Sequence, residues 1–340
     1  MHIGRTYSLF QTLHWTRKYI LIFVFTSTIP VLLYELVGLH WITVPWLPIA
    51  LIGTAVAFYL GFKNNSSYER LWEARKIWGA IVNDSRLWTI TSRDFVTNLF
   101  AAEPMSDKEL AATRTRLVHR HIAWLIALRH QLRAVRGWEH RDKASDKVRD
   151  LLNTRFDPKL MQEEMASVLE KSELDYVTSK VNPAAHIISL QSKELKELRA
   201  GGYIDDFRHM ELQNILKYFY DHQGKSERIK NFPFPRQYAT VNLFFVWLFI
   251  LLVPYGMIDE FNQIGEHFVW LTIPFSVIIS WVFHTMEMIG DYSENPFEGL
   301  WNDVPITSLA RTIEIDLREM IDEENLPAPV EAVPGINIIY

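Results

Sequence analysis

The sequence predicts an all-α protein with four membrane-spanning helices that continue into a helical bundle. Three observations carry the prediction. Four runs, residues 19–34, 36–62, 237–258 and 267–286, contain no Asp, Glu, Lys or Arg. Between the second and third runs, apolar residues recur near the 3.6-residue helical period. Strand patterns are sparse throughout. The mean hydropathy of -0.02 averages over this split, because charge is absent from the runs and crowded between them.

Composition narrows the classes further. With 340 residues, 49% hydrophobic and 22% charged, the chain is neither disordered nor low in apolar content. Gly 14 and Pro 15 without a period exclude collagen-like or repeat architectures. Cys 0 excludes disulfides, thiolate catalysis and cysteine-ligated zinc or iron–sulfur centres. A net charge of -5 and a pI near 6.2 speak against a nucleic-acid partner.

Residues 1–62 hold a tail and the first two spans. A helix needs roughly 17–25 mainly apolar residues to cross a hydrocarbon core of about 30 Å. The run 36–62 meets this. The run 19–34 reaches the length when its span extends over Glu35 to Leu39. No small-residue cleavage site follows it, so it is read as retained rather than as a signal peptide. Residues 237–290 hold the third and fourth spans. Trp15, Tyr19, Trp41, Trp46, Tyr238, Tyr255 and Trp270 lie near the span ends, where amphipathic rings favour the headgroup zone.

No Lys or Arg occurs in residues 19–62 or 237–310. The two tight connections within the membrane regions, near 36–41 and 259–266, carry acidic charge only. The positive-inside bias therefore places both connections outside, and both termini and the central domain in the cytoplasm. The setting is a membrane crossed several times, with lipid as a partner.

Residues 63–236 form the central cytosolic helical domain. Leu71, Trp72, Ile77, Trp78, Ile81, Val82, Leu87 and Trp88 mark one face of a first helix, with Glu69, Arg70, Glu73, Arg75 and Lys76 opposite. Either Ser66 or Ser67 caps it after a break at Asn64–Asn65, or it is one rod with the second span. Leu117 to Leu132 mark a second amphipathic helix. A third runs from Pro183 to about Arg199 and stops at Gly201–Gly202. A fourth covers Phe207 to about His222. Residues 291–340 form a cytosolic C-terminal segment and tail.

Catalytic patterns are missing. His119, His121 and His130 are spaced so that they diverge on a helix, and H-E-x-x-H, G-x-S-x-G, P-loop and dinucleotide fingerprints do not occur. The reading is no enzyme, no cofactor and no metal centre. One stretch stands out instead. Thr54, Phe58 and Phe62 recur every four residues along the second span, one stripe of a helix. Gly53, Ala55, Ala57 and Gly61 lie between them and permit close helix approach. The stripe is either internal packing or the lining of a pore, where stacked apolar rings gate by dewetting.

Ordered blocks across the chain resemble the bestrophin family in its bacterial branch. They are Phe62-Lys63, Tyr68-Glu69-Arg70, Glu73-Ala74-Arg75, Trp78-Gly79, His130-Gln131-Leu132-Arg133, Pro233-Phe234-Pro235, Asn295-Pro296-Phe297, Asn302-Asp303 and Pro305. The resemblance extends over about residues 6–318. The resemblance implies a homopentameric ion channel of the bacterial inner membrane around a central pore, with a pore-lining helix over about residues 45–62 and the chain itself as partner. It places Thr54, Phe58 and Phe62 in a hydrophobic neck, the threonine making the outermost ring wetter than a bulky apolar residue would. It implies a second constriction at the cytosolic exit after a glycine-containing turn, at Phe207, with Ile204 as the alternative. Eukaryotic members hold calcium with an acidic cluster after Asn-Pro-Phe. Here Asn295 and Asp303 match while Leu300 replaces a carboxylate, so the clasp is degenerate and calcium control is expected to be weak or absent. Asp303 and Asn295 are instead expected to hold the C-terminal tail against the neck.

The permeant ion is chloride by family. Sodium is the alternative, favoured if Asp205, Asp206 and Glu197 face the axis and make the vestibule acidic. A membrane scaffold is the remaining alternative. A carrier or membrane-embedded enzyme needs ionisable residues inside the spans. Only His40, His284 and the terminal Glu35 are found there.

Overall fold

The computed structural model describes residues 1–340. It is helical throughout, with eleven α-helices, two short 3-10 turns and only isolated β-bridges between His2 and Ile338 and between Val333 and Ile338. The chain divides into two compact units.

The apolar unit comprises Gly4–Arg70 and Pro233–Asn295. It holds α1 (Leu9–Glu35), the first part of α2 (Trp46–Phe95), α9 (Arg236–Ile264) and α10 (Thr272–Asp291). All four helices are long and apolar enough to cross a membrane. α1 gains its length at its start rather than by running past Glu35. Ser8 and Gln11 form a capping box there, each side chain bonding the other's backbone N–H. α1 and α9 both pack on α10. The core between them is Phe23, Ile49, Val56, Leu60, Val246, Phe249, Ile250 and Val253. Helix approach is close where α2 meets α9. A Cβ on Gly53 would lie 2.6 Å from the Phe249 ring, and one on Gly256 would lie 2.7 Å from Ile49. In lipid, such contact replaces the solvent-driven attraction that apolar helices lack.

The charged unit comprises Met1–Ile3, Leu71–Phe232 and Pro296–Tyr340. It holds the second part of α2, then α3 (Asp107–Arg133), α4 (Lys143–Leu151), α5 (Pro158–Ala166), α6 (Lys171–Thr178), α7 (Pro183–Ala200), α8 (Asp206–Asn231) and α11 (Ile306–Met320). Side-chain caps start most of them: Ser106 with Glu109 for α3, Asp142 for α4, Asn182 for α7 and Asp205 for α8. α3 is the central helix. Residues 121–128 are buried on every side, so it is not the one-faced helix the sequence suggests. It packs on α5, α7, α8 and α11. Several charges of this unit are buried as pairs. Arg120 pairs with Glu173 and Glu194, Lys230 with Glu139, and Arg149 with Glu298.

Candidate functional site: an uncovered stripe on α2

α2 is one continuous helix of 50 residues, roughly 75 Å long at 1.5 Å per residue. The break at Asn64–Asn65 does not occur. Asn64 spends its amide on the carbonyl of Met286 at 3.1 Å, and Asn65 donates to Glu69 at 2.9 Å, so neither competes with the helix backbone.

The two faces of its apolar part differ. Ile49, Gly53, Val56, Leu60 and Lys63 are buried against the other helices of the unit. Thr54, Phe58 and Phe62 lie on the uncovered face, with Phe58 65% and Phe62 50% exposed. The two phenylalanine rings meet edge to face, with centroids 4.6 Å apart. The Thr54 hydroxyl donates to the Ala50 carbonyl at 2.9 Å, which leaves its oxygen lone pairs to face outward as acceptors. Of the small residues, only Gly53 serves packing within the chain. Ala55, Ala57 and Gly61 are exposed, and a Cβ on Gly61 would meet nothing within 4 Å. The surface beside the stripe is therefore smooth and free to receive another helix.

A second uncovered phenylalanine lies in the charged unit, after α7. That helix ends in a Schellman motif, in which Tyr203 N–H bonds Leu198 O and Gly202 N–H bonds Arg199 O. Gly202 has φ +78, and a Cβ there would lie 2.4 Å from the Phe100 carbonyl oxygen, so only glycine fits. The turn presents Phe207, 85% exposed, at the start of α8. Ile204 is 1% exposed, packs in the hydrophobic core and borders a cleft shared with Phe207, which is the more exposed of the two aperture candidates. Phe207 borders an open cleft of about 620 Å³ also lined by Lys196, Arg199, Asp205 and Asp206.

The charge of this cleft is balanced rather than acidic. Asp206 lies 2.5 Å from Arg199, and Asp205 caps α8 and lies 3.3 Å from Arg208. The Arg199 guanidinium holds the Asp206 carboxyl below its ordinary range. Arg208 also donates to the Phe95 carbonyl at 3.1 Å, which ties the start of α8 to the end of α2. Glu197 is paired with Lys193 at 3.9 Å.

The loop after Asn-Pro-Phe is organised by Asp303, which is almost fully buried. Its Oδ1 accepts from the N–H groups of Phe297 and Val304, both at 2.6 Å. Its Oδ2 accepts from Gly299 N–H at 2.5 Å and from the Arg133 guanidinium. Phe297 is held at φ 75, a strained conformation for a residue with a Cβ. Glu298 accepts from Arg149 at 2.8 Å and from the ring of His140 at 3.0 Å. Calcium takes roughly 6–8 oxygen ligands. Here the Asp303 oxygens are spent on N–H donors, Leu300 is buried and carries no oxygen, and no group of three or more His, Asp or Glu side chains could hold a metal. The residues do not fit calcium. Asp303 acts on its own loop and on α3. Asn295 is buried, and its Nδ2 has no hydrogen-bond partner.

One cluster escapes sequence reasoning. Lys63 and Glu287 form a buried ion pair at 2.5 Å, and Asn242 donates to the same carboxylate at 2.7 Å. Each charged residue sits one position beyond a charge-free run, where it reads as a flank. Their pairing across 224 residues leaves no local signal.

The sequence profile described as bacterial/fungal bestrophin protein matches residues 12–319. The chain belongs to the bestrophin family. Similar proteins include one from Ralstonia nicotianae, 29% identical over 294 residues, 85% of this chain and 83% of that one. The YneE protein of Escherichia coli K12 is 27% identical over 283 residues, 83% of this chain and 79% of that one. Both bear the name voltage-dependent anion channel-forming protein. The crystal structure of a bacterial bestrophin homolog from Klebsiella pneumoniae superposes with a TM-score of 0.72 at 24% identity, covering 90% of this chain and 98% of that one. That likeness establishes the bestrophin fold. With its four apolar helices, the chain is a multi-pass membrane protein.

Proposed function

We propose that the chain is the subunit of a homopentameric channel that passes small monovalent inorganic anions, chloride foremost. The observation that carries this reading is the uncovered stripe of Thr54, Phe58 and Phe62 on a helix whose opposite face is buried. One stripe on one subunit encloses nothing. Cyclic repetition of the subunit turns it into stacked rings around an axis. The small side chains beside the stripe suit close approach of a neighbouring copy.

The neck contributes no charge, so wetting decides whether an ion crosses it. Thr54 supports a wetter ring on one side of the two phenylalanine rings. Phe207 fits a second constriction. The bestrophin relatives named as anion channel-forming proteins favour anions, and the pairing of Asp205 and Asp206 with arginines removes the charge that would favour cations. The absence of Lys and Arg from residues 19–62 and 237–310 supports cytoplasmic termini in an inner membrane.

Purified protein in a planar bilayer tests the proposal. Discrete unitary steps are expected, with a reversal potential near the chloride equilibrium potential under an asymmetric sodium chloride gradient. A reversal near the sodium potential would establish the cation alternative. Absence of unitary steps from correctly assembled protein would leave the scaffold alternative.

A further inference from the structure

Beside Phe62, on the buried side of α2, lies a polar clamp. The Lys63 ammonium donates to Glu287 Oε1 of α10 at 2.5 Å, and Asn242 of α9 donates to Glu287 Oε2 at 2.7 Å. The next residue of α2, Asn64, donates to the Met286 carbonyl of α10 at 3.1 Å. Gly290 makes room for this approach, since a Cβ there would lie 2.2 Å from Asn64 Oδ1. The Lys63 and Glu287 side chains are 1% and 5% exposed, and Asn242 is fully buried. Two consecutive residues of α2 thus grip one helix, and a third helix completes the carboxylate's shell.

We propose that Lys63, Asn64, Asn242 and Glu287 are positioning residues that set the rotation of α2 about its own axis, and so aim Phe58 and Phe62 at the pore. This rests on the neck reading above. The physical reason is the solvent. Apolar side chains gain almost nothing by facing protein rather than lipid, so Ile49, Val56 and Leu60 hold the angle of α2 only through shape. A buried ion pair is different. Lys63 lies 100° from Phe62 and 140° from Phe58 on an ideal helix of 3.6 residues per turn. Turning the stripe off its present face withdraws Lys63 from Glu287 and leaves a carboxylate uncompensated among helices. The clamp therefore penalises rotation in both senses, which packing alone does not.

Because the chain has no cysteine, single cysteines report the helix face without background. Phe58→Cys, Tyr59→Cys and Phe62→Cys are made in the full chain, reconstituted, and treated with a charged, membrane-impermeant thiosulfonate. Tyr59, less exposed than Phe58 and Phe62 at 38%, has the rings of Tyr238 and Phe245 5.8 and 6.0 Å away and marks the flank of the stripe. In the otherwise unaltered chain, the cysteines at 58 and 62 react faster than the one at 59. With Lys63→Met or Glu287→Gln added, the ratio of the rates at 62 and 59 falls roughly tenfold or more, the worth of a charge-assisted hydrogen bond. The exchange Lys63→Glu with Glu287→Lys restores the ratio. Should Lys63→Met fail to assemble, Asn64→Ala keeps both charges and shifts the ratio in the same direction.

A clamp that merely held the helices together would lower the yield of assembled protein without moving this ratio. Equal rates at 58, 59 and 62 before any clamp substitution would overturn the neck reading itself. A face preference that survives unchanged in the assembled clamp variants would overturn this proposal alone.

Discussion

Replacing Asp303 by asparagine should release the loop that follows Asn-Pro-Phe. The substitution keeps shape and volume, so no cavity arises. Four donors converge on the carboxylate: the N–H groups of Phe297, Gly299 and Val304 and the guanidinium of Arg133. An amide keeps one acceptor oxygen, which can serve Phe297 and Val304. Its NH₂ then faces Gly299 N–H and Arg133, donor against donor. Each buried donor left unmade costs about 1–3 kcal/mol, so the loop loses about 4 kcal/mol in all. Phe297, held at φ 75 by this network, loses what keeps it there. Hydrogen exchange resolved to residues 295–304 is the assay. At 1.4 kcal/mol per factor of ten, amide exchange there should accelerate by about three orders of magnitude. Exchange in the last turn of α7, which lies toward the opposite end of α3 where Glu194 meets Arg116, serves as the control. Acceleration of less than tenfold in the loop would mean that Asp303 is not its organising group.

Three further outcomes are expected. Phe58→Ala combined with Phe62→Ala should raise unitary conductance, by widening and wetting the neck. Unchanged current in an assembled double variant would remove both rings from the conduction path. Added calcium up to the millimolar range should leave open probability unchanged, because the Asp303 oxygens are spent on N–H donors and Leu300 offers none; steep activation at micromolar calcium would refute this. Burial pushes the His121 imidazole from its ordinary 6.5 down to about 3, between Ser85 at 2.8 Å and the Trp124 and Phe219 rings. A depressed histidine contributes its full stability above about pH 6.5 and loses it as the pH falls. Between about pH 7.5 and pH 5 the charged unit should lose about 2 kcal/mol through this group. The acid shift of the thermal midpoint in detergent should shrink in His121→Gln, and an equal shift in both proteins would exclude the group.

Much of this was legible in the sequence. The four spans show because charge is costly in hydrocarbon, so its absence leaves long gaps. The uncovered stripe of α2 shows because Thr54, Phe58 and Phe62 repeat at four-residue spacing. Other features depend on contacts between distant segments. α3 reads as one-faced because His119, Arg120, His121 and Arg129 interrupt its apolar pattern. Each of these is instead satisfied inside the fold, Arg120 by Glu173 and Glu194, and Arg129 by Glu164. The charge of Asp205 and Asp206 is balanced by Arg208, one helical turn along α8, and by Arg199, which reaches Asp206 only once the turn at Gly202 has formed. Ile204 and Phe207 are three residues apart beside the same turn, and only the Schellman geometry decides which one is buried. Lys63 and Glu287 are the clearest omission. Each flanks a charge-free run, and nothing local says that the two meet.

Electron cryo-microscopy of the protein in lipid nanodiscs tests the central claim most directly. The account predicts five copies around one axis, with density for Thr54, Phe58 and Phe62 from every copy converging on it. A particle with no central passage, or with Phe58 and Phe62 turned outward to the acyl chains, would contradict it.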